Sequence, residues 1–212
     1  MRTFLLISSL FWVLYEVSGH GYLVDPPNRS SLWRQGYDTP RNYNDNELFC
    51  GGYGVQWDQN DGKCGECGDP YQLARPRPNE AGGQYGLGII TANYTAGQVA
   101  TFTALLTTNH WGYFEFRLCP TNDPTKLTTQ ECFDEYLLPL ASGAGTQYHV
   151  PNHNNGQFNV HVKLPEGLTC SQCVVQWRYV TATRWGDCGD GTSAMGCGPQ
   201  EMFQNCADIS IA

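Results

Sequence analysis

Ten cysteines constrain this chain more than any other feature: Cys50, Cys64, Cys67, Cys119, Cys132, Cys170, Cys173, Cys188, Cys197 and Cys206. An even count in a chain that leaves the cytosol reads as a framework of up to five disulfides. The amino terminus predicts export. MRTFLLISSLFWVLYEVSG has a charged start at Arg2, an apolar run from Phe4 to Leu14 and a Val17-x-Gly19 end, the three parts of a secretory leader. Its apolar run is too short to span a bilayer. Residues 1–19 are therefore read as a signal peptide and 20–212 as one domain of about 190 residues, enough for a sizeable core. The product is expected outside the cell.

Ten cysteines admit about 945 pairings, so spacing alone assigns none of them. Local closure favours Cys119 with Cys132 and Cys188 with Cys197. The Cys-x-x-Cys pairs 64/67 and 170/173 also admit a zinc ribbon or a thioredoxin-like motif. Their wide separation and the absence of a βαβ pattern around either disfavour both readings.

Losing Arg2 and Glu16 with the leader leaves the formal net charge at −8. An acidic chain is a poor partner for nucleic acid or an anionic membrane, which attract basic patches. Only 15% of residues are charged, while 24 are Gly, 12 Tyr and 6 Trp, a composition that suits a turn-rich β protein and not a helical bundle.

From His20 to Gln84 no periodicity is sustained, and Pro, Gly, Asn and Asp crowd the segment. It is too long for an idle connection and reads as a disulfide-pinned surface excursion, with a short helical turn at Asp45 to Phe49. Strand signals follow at Gly86–Tyr94, Val99–Thr108, Trp111–Leu118, Gln157–Leu164, Cys173–Thr181 and Ala207–Ile211. Phe158, Val160, Val162 and Leu164 share one face, as do Val175, Trp177 and Tyr179, which turns His161 outward. Such a series of antiparallel strands predicts an all-β, immunoglobulin-like sandwich carrying a long amino-terminal loop region.

Five histidines are present, His20, His110, His149, His153 and His161. Cleavage after Gly19 makes His20 the first residue, able to chelate a metal through its amine and its ring Nδ1. The unperturbed pKa of such an amine is about 8, so it yields its proton to a metal at modest cost. With the ring of His110, that makes three nitrogens and leaves room for a small ligand, a donor set that suits Cu(II). Taken alone, His110 is an ordinary turn residue between two strands. His149-x3-His153 has a spacing tolerated in zinc sites, but Pro151, Asn152, Asn154 and Asn155 make it read as a solvated loop. Asn28-Arg-Ser30 and Asn93-Tyr-Thr95 are glycosylation sequons, of which Asn93, beside Ala96-Gly97, better suits an exposed turn.

The start His20-Gly21-Tyr22 with Pro26-Pro27-Asn28-Arg29 resembles that of lytic polysaccharide monooxygenases. Trp33-Arg34, Asp38-Thr39-Pro40, Asn46-Glu47-Leu48, Cys50-Gly51-Gly52, Asn93 to Gly97, Asn109 to Pro120, and Gly198 to Phe203 leading to Cys206-Ala207-Asp208 resemble auxiliary activity family 15 more narrowly. The likeness spans the chain from His20 onward.

It implies copper held by a brace in which His20 gives two nitrogens and His110 the third. It also implies oxidative cleavage of crystalline chitin or cellulose, with an external electron donor and peroxide or dioxygen as co-substrate. The implied site residues are His20, His110, Glu201 and Phe203. Phe203 stands on the copper axis, where many members have tyrosine; a phenyl ring offers no oxygen, and an axial ligand tunes potential. Glu201 is the carboxylate that could position oxygen species. A monomer is expected.

Two other readings remain open at this level. One is a polysaccharide binder without catalysis, using Tyr22, Trp33, Tyr37 and Tyr43 as flat aromatics, although aromatics also fill cores. The other is a copper-handling protein that keeps the brace but spares polysaccharide.

Overall fold

Alternation of apolar and polar side chains sets the inner faces of two packed sheets. In the computed structural model, which describes residues 20–212, ten strands and one short α-helix, α1 (Gln130–Glu135), are assigned. The strands are β1 (His20–Asp25), β2 (Ala92–Tyr94), β3 (Val99–Thr108), β4 (Tyr113–Pro120), β5 (Tyr148–His149), β6 (Gly156–Lys163), β7 (Cys170–Val180), β8 (Trp185–Asp187), β9 (Ser193–Met195) and β10 (Met202–Ile211). The proposed leader lies outside the described residues.

One sheet runs β1-β3-β6 and the other β2-β10-β7-β4-β5, while β8 and β9 form a separate hairpin. Ala100, Phe102, Ala104 and Leu106 of β3 and Phe158, Val160 and Val162 of β6 point inward. They meet Phe114, Phe116, Val175, Trp177, Tyr179 and Phe203 from the facing sheet in one core. This is the expected immunoglobulin-like sandwich. All pairings in the two sheets are antiparallel except β2 with β10, which is parallel.

The amino-terminal excursion is more than a loop on the surface. It covers the outer face of the five-stranded sheet, so β7 and β10 are buried on both faces. That outer face is polar, and each buried group must find a partner. Gln176 donates to Glu66 O at 2.8 Å and Gln204 to Gly65 O at 2.9 Å. Arg29 clamps Asp208 with two bonds of 2.7 Å, and Cys67–Cys206 fastens the excursion to β10 covalently.

All ten cysteines are paired, Cys50 with Cys64 and Cys170 with Cys173 besides the pair just given. Cys119–Cys132 and Cys188–Cys197 form as local closure predicts. Neither Cys-x-x-Cys pair is left as thiols for zinc.

Several boundaries differ from the sequence reading. The chain already forms a strand at His20, inside the stretch read as loop, because β1 finds its ladder on β3. Only Ala92–Tyr94 of the stretch from Gly86 is strand; Gly88 at φ +67° turns the backbone aside before it. β4 starts at Tyr113, since Trp111 and Gly112 both have positive φ. β7 begins at Cys170, and β10 begins at Met202, five residues before the apolar run. Residues 43–46 form a turn and 47–49 do not continue it as a helix.

Candidate metal centre

The β1–β3 register sets His20 opposite Thr108, two residues short of His110. Both histidines therefore lie at the same end of the three-stranded sheet. Gly21 N–H donates to Asn46 O at 3.0 Å and Leu23 N–H to the Asn205 side chain at 2.8 Å, which ties β1 to the excursion and to β10. Thr107 Oγ1 donates to His20 O at 3.3 Å. Gly21 is required for this approach: a Cβ there would stand 2.5 Å from Leu106 Cδ2 and 3.0 Å from Leu105 O.

His110 sits in the turn from β3 to β4. Its N–H donates to Tyr179 Oη at 2.9 Å and its carbonyl accepts from Ala182 N–H at 2.9 Å. Asn109, next to it, is held by bonds to Asn152, Asn154 and Asn155. Gly112, at φ +86°, presses against the carbonyl of Val180, where a Cβ has no room. The turn therefore aims the His110 ring from a backbone fixed on both sides.

His110 is 6% exposed, and its ring Nδ1 is buried without a hydrogen-bond partner. Such atoms are rare and ask for a ligand or a functional cause. Burial pushes the His110 pKa down, and the nearby His20 adds to that shift, so the ring stays neutral and keeps a lone pair to donate. Glu201 Oε2 lies 4.0 Å from His110 Nδ1. Glu201 precedes β10, and its carbonyl accepts from Thr181 N–H at 3.1 Å.

Phe203 is fully buried, stacked at 5.9 Å on Phe49 and 5.8 Å on Tyr179. Tyr179, whose hydroxyl bonds to His110, is pushed well above the usual phenol range by burial. On the other side of the site, Nε2 of the His20 ring lies 2.9 Å from Glu47 Oε1.

The structure thus brings His20, His110 and Glu201 together, with Phe203 in the core beside Tyr179. Among the described residues no three His, Cys, Asp or Glu side chains converge to hold a metal. A site made of two imidazoles and a backbone amine has only two such side chains, so the donor set still suits copper. The other histidines stay apart: His149 is exposed on β5, His153 packs its ring at 3.8 Å against Trp111, and His161 bonds Thr101. Sequence reasoning assigned no role to Glu47 or Tyr179. The first is one loop acid among many with no periodic signal, and the second was legible only as a core tyrosine.

Exposed aromatics lie close along the chain to residues that touch the two histidines. Tyr43 is 68% exposed and packs edge-on against Trp33, four residues before Glu47. Trp111 follows His110, and Trp185, 68% exposed, stands on the β8–β9 hairpin a short way past Ala182. Tyr22, Trp33 and Tyr37 are half-buried, so Tyr43 is the most open of the four aromatics that the sequence offered for binding.

A family model described as lytic polysaccharide mono-oxygenase, cellulose-degrading, matches residues 20–209. Among solved structures, the lytic polysaccharide monooxygenase AA15 from Thermobia domestica in the Cu(I) state is 57% identical, with a TM-score of 0.89. The match covers 91% of this chain and 99% of that one. No curated protein matches. With its sandwich fold and near full-length likeness, the chain belongs to the lytic polysaccharide monooxygenases, within auxiliary activity family 15, and is a copper-dependent oxidoreductase.

Proposed function

We propose that the chain is secreted, that a signal peptidase cuts after Gly19, and that the mature enzyme oxidatively cleaves crystalline chitin or cellulose. Five disulfides fit an oxidising compartment. The family match begins at residue 20, the residue the cut would expose. Asn93 is exposed, which suits a glycan in that compartment.

In this reading the amine and ring of His20 and the ring of His110 hold the copper, and the β1–β3 register carries the proposal because it seats both histidines at one end of one sheet. Copper, when bound, supplies the one-electron chemistry that activates the oxygen co-substrate. The protein contributes rigidity. Gly21, Asn46, Tyr179 and Ala182 fix the two histidine backbones, so a metal bound there would meet donors already in place. Phe203 and its stacked neighbours close the inner side of the site to water. Glu201 offers a carboxylate that can bond a proton on the co-substrate.

Substrate docking is assigned to the exposed aromatics, Tyr43 on the His20 side and Trp111 and Trp185 on the other, which can lie against the apolar faces of sugar rings. An insoluble polysaccharide, an external electron donor and peroxide or dioxygen are the proposed partners. The enzyme is taken to act as a monomer, without nucleic acid or membrane.

The test compares protein beginning at His20 with protein keeping one extra residue before it. Each is incubated with chitin and with cellulose, copper and ascorbate, and the products are weighed by mass spectrometry. Oxidised oligosaccharides from the first form alone support the reading. Equal products from both forms, or binding to chitin with no oxidised product, overturn it.

A further inference from the structure

We infer that Glu47 is a positioning residue for the copper site, accepting the Nε2 proton of His20 and thereby presenting Nδ1 to the metal. The inference rests on the brace reading above and adds a residue to it. Its basis is the bond of 2.9 Å between His20 Nε2 and Glu47 Oε1, across 27 residues of sequence.

The chemistry of the chelate demands such a partner. An amine and a ring on the same residue can grip one metal only through the nearer ring nitrogen, Nδ1, whose lone pair must be free. The ring proton must then sit on Nε2. A carboxylate at Nε2 accepts that proton's hydrogen bond and selects the required tautomer. It also fixes the ring's rotation and strengthens the nitrogen as an electron donor to the metal.

The loop that delivers Glu47 is itself built to hold position. Glu47 N–H donates to Asn44 O at 3.0 Å, closing a turn over 44–47. Inside that turn Asp45, fully buried, takes two bonds from Arg34. Asn46 receives Gly21 N–H on its carbonyl and donates its side chain to Thr107 at 3.1 Å. The residue preceding Glu47 is thus tied to both strands that carry the site, β1 and β3. A carboxylate on a mobile loop would pair with His20 only in passing; this one is carried by the same scaffold as the ring.

A stronger donor favours Cu(II) over Cu(I), because the higher charge gains more from it. Removing the carboxylate should weaken Cu(II) binding more than Cu(I) binding and raise the potential. Outer carboxylates of metal-bound histidines typically contribute about 10–100-fold in affinity. The Glu47 side chain is 39% exposed, so screening places its share near the lower end.

The experiment uses protein beginning at His20, as wild type, Glu47→Ala and Glu47→Gln. Three quantities are measured: Cu(II) affinity by chelator competition, the Cu(II)/Cu(I) midpoint potential by titration followed through the EPR signal, and the melting temperature without metal. Glu47→Ala should lose about tenfold in Cu(II) affinity. If that loss falls on Cu(II) alone, the potential rises by about 59 mV. Glu47→Gln keeps an acceptor oxygen without the charge and should fall between the two.

Affinity and potential unchanged in both variants would overturn the inference. So would a lower melting temperature with an unchanged potential, since that describes loop support alone. Should Glu47→Ala fail to fold, Glu47→Gln decides by the same potential shift. Failure of the brace itself has a separate signature, namely that wild type binds Cu(II) no better than a His20→Ala variant.

Discussion

His20 faces Thr108 across the β1–β3 ladder, with a register shift immediately after it between His20 and Gly21. That pairing ends β1 beside the turn that carries His110, and Gly21 is what lets the strand lie so close. In Gly21→Ala the new methyl meets Leu106 and the Leu105 carbonyl, so β1 must move. The expected cost is about 1–3 kcal/mol of stability. Copper affinity should drop at least about tenfold, since the loss of one well-placed outer contact already costs that much. Thermal unfolding and chelator competition read the two effects; wild-type copper affinity in this variant would count against the seating described here.

Arg29 and Asp208 form a buried pair, 3% and 2% exposed, that joins the excursion to β10. Arg29→Met leaves the Asp208 carboxylate buried with Gln172 as its remaining side-chain donor among the described residues. Breaking such a pair costs about 3–5 kcal/mol. Urea unfolding measures it, and a loss below about 1 kcal/mol would mean that water reaches the carboxylate once the guanidinium is gone.

The two sequons should behave differently on secretion from eukaryotic cells. Asn28 is 1% exposed, donates to Leu23 O at 2.9 Å and caps the 3-10 helix Arg29–Gln35 through its Oδ1. A glycan on that nitrogen excludes the native packing. Asn93 lies exposed on β2, with Ser210 Oγ donating to its Oδ1 at 2.6 Å. Glycopeptide mass spectrometry should find Asn93 occupied and Asn28 bare.

Phe203 tests how the core meets the metal. Phe203→Tyr should add an oxygen at the inner side of the site, change the Cu(II) EPR parameters of the copper-loaded protein and cost less than about 1 kcal/mol. An unchanged spectrum would count against this and leave Phe203 as filler between Phe49 and Tyr179. Stability then falls by about 1–3 kcal/mol, the penalty of a buried hydroxyl with no partner.

The strands of the sandwich could be read from the chain because period-two patterning is local: Ala100 to Leu106 and Phe158 to Val162 show their inner faces without any neighbour present. The amino-terminal excursion could not be read in that way. Its order comes from Cys67, Arg29 and Glu66 meeting β7 and β10, partners far away along the chain. β10 was legible only from Ala207, since Gln204 and Asn205 look like solvent-facing residues until the excursion covers them.

By itself the sequence determined the sandwich and favoured two of the five disulfides, because periodicity and short loop closure are properties of nearby residues; it singled out His20 and His110 from donor chemistry alone. Only the tertiary structure decided that Glu47 meets the His20 ring, that Tyr179 holds the His110 backbone and that Asn28 is buried. Those contacts join segments distant in sequence, and their geometry exists only after the sheets and the excursion have packed.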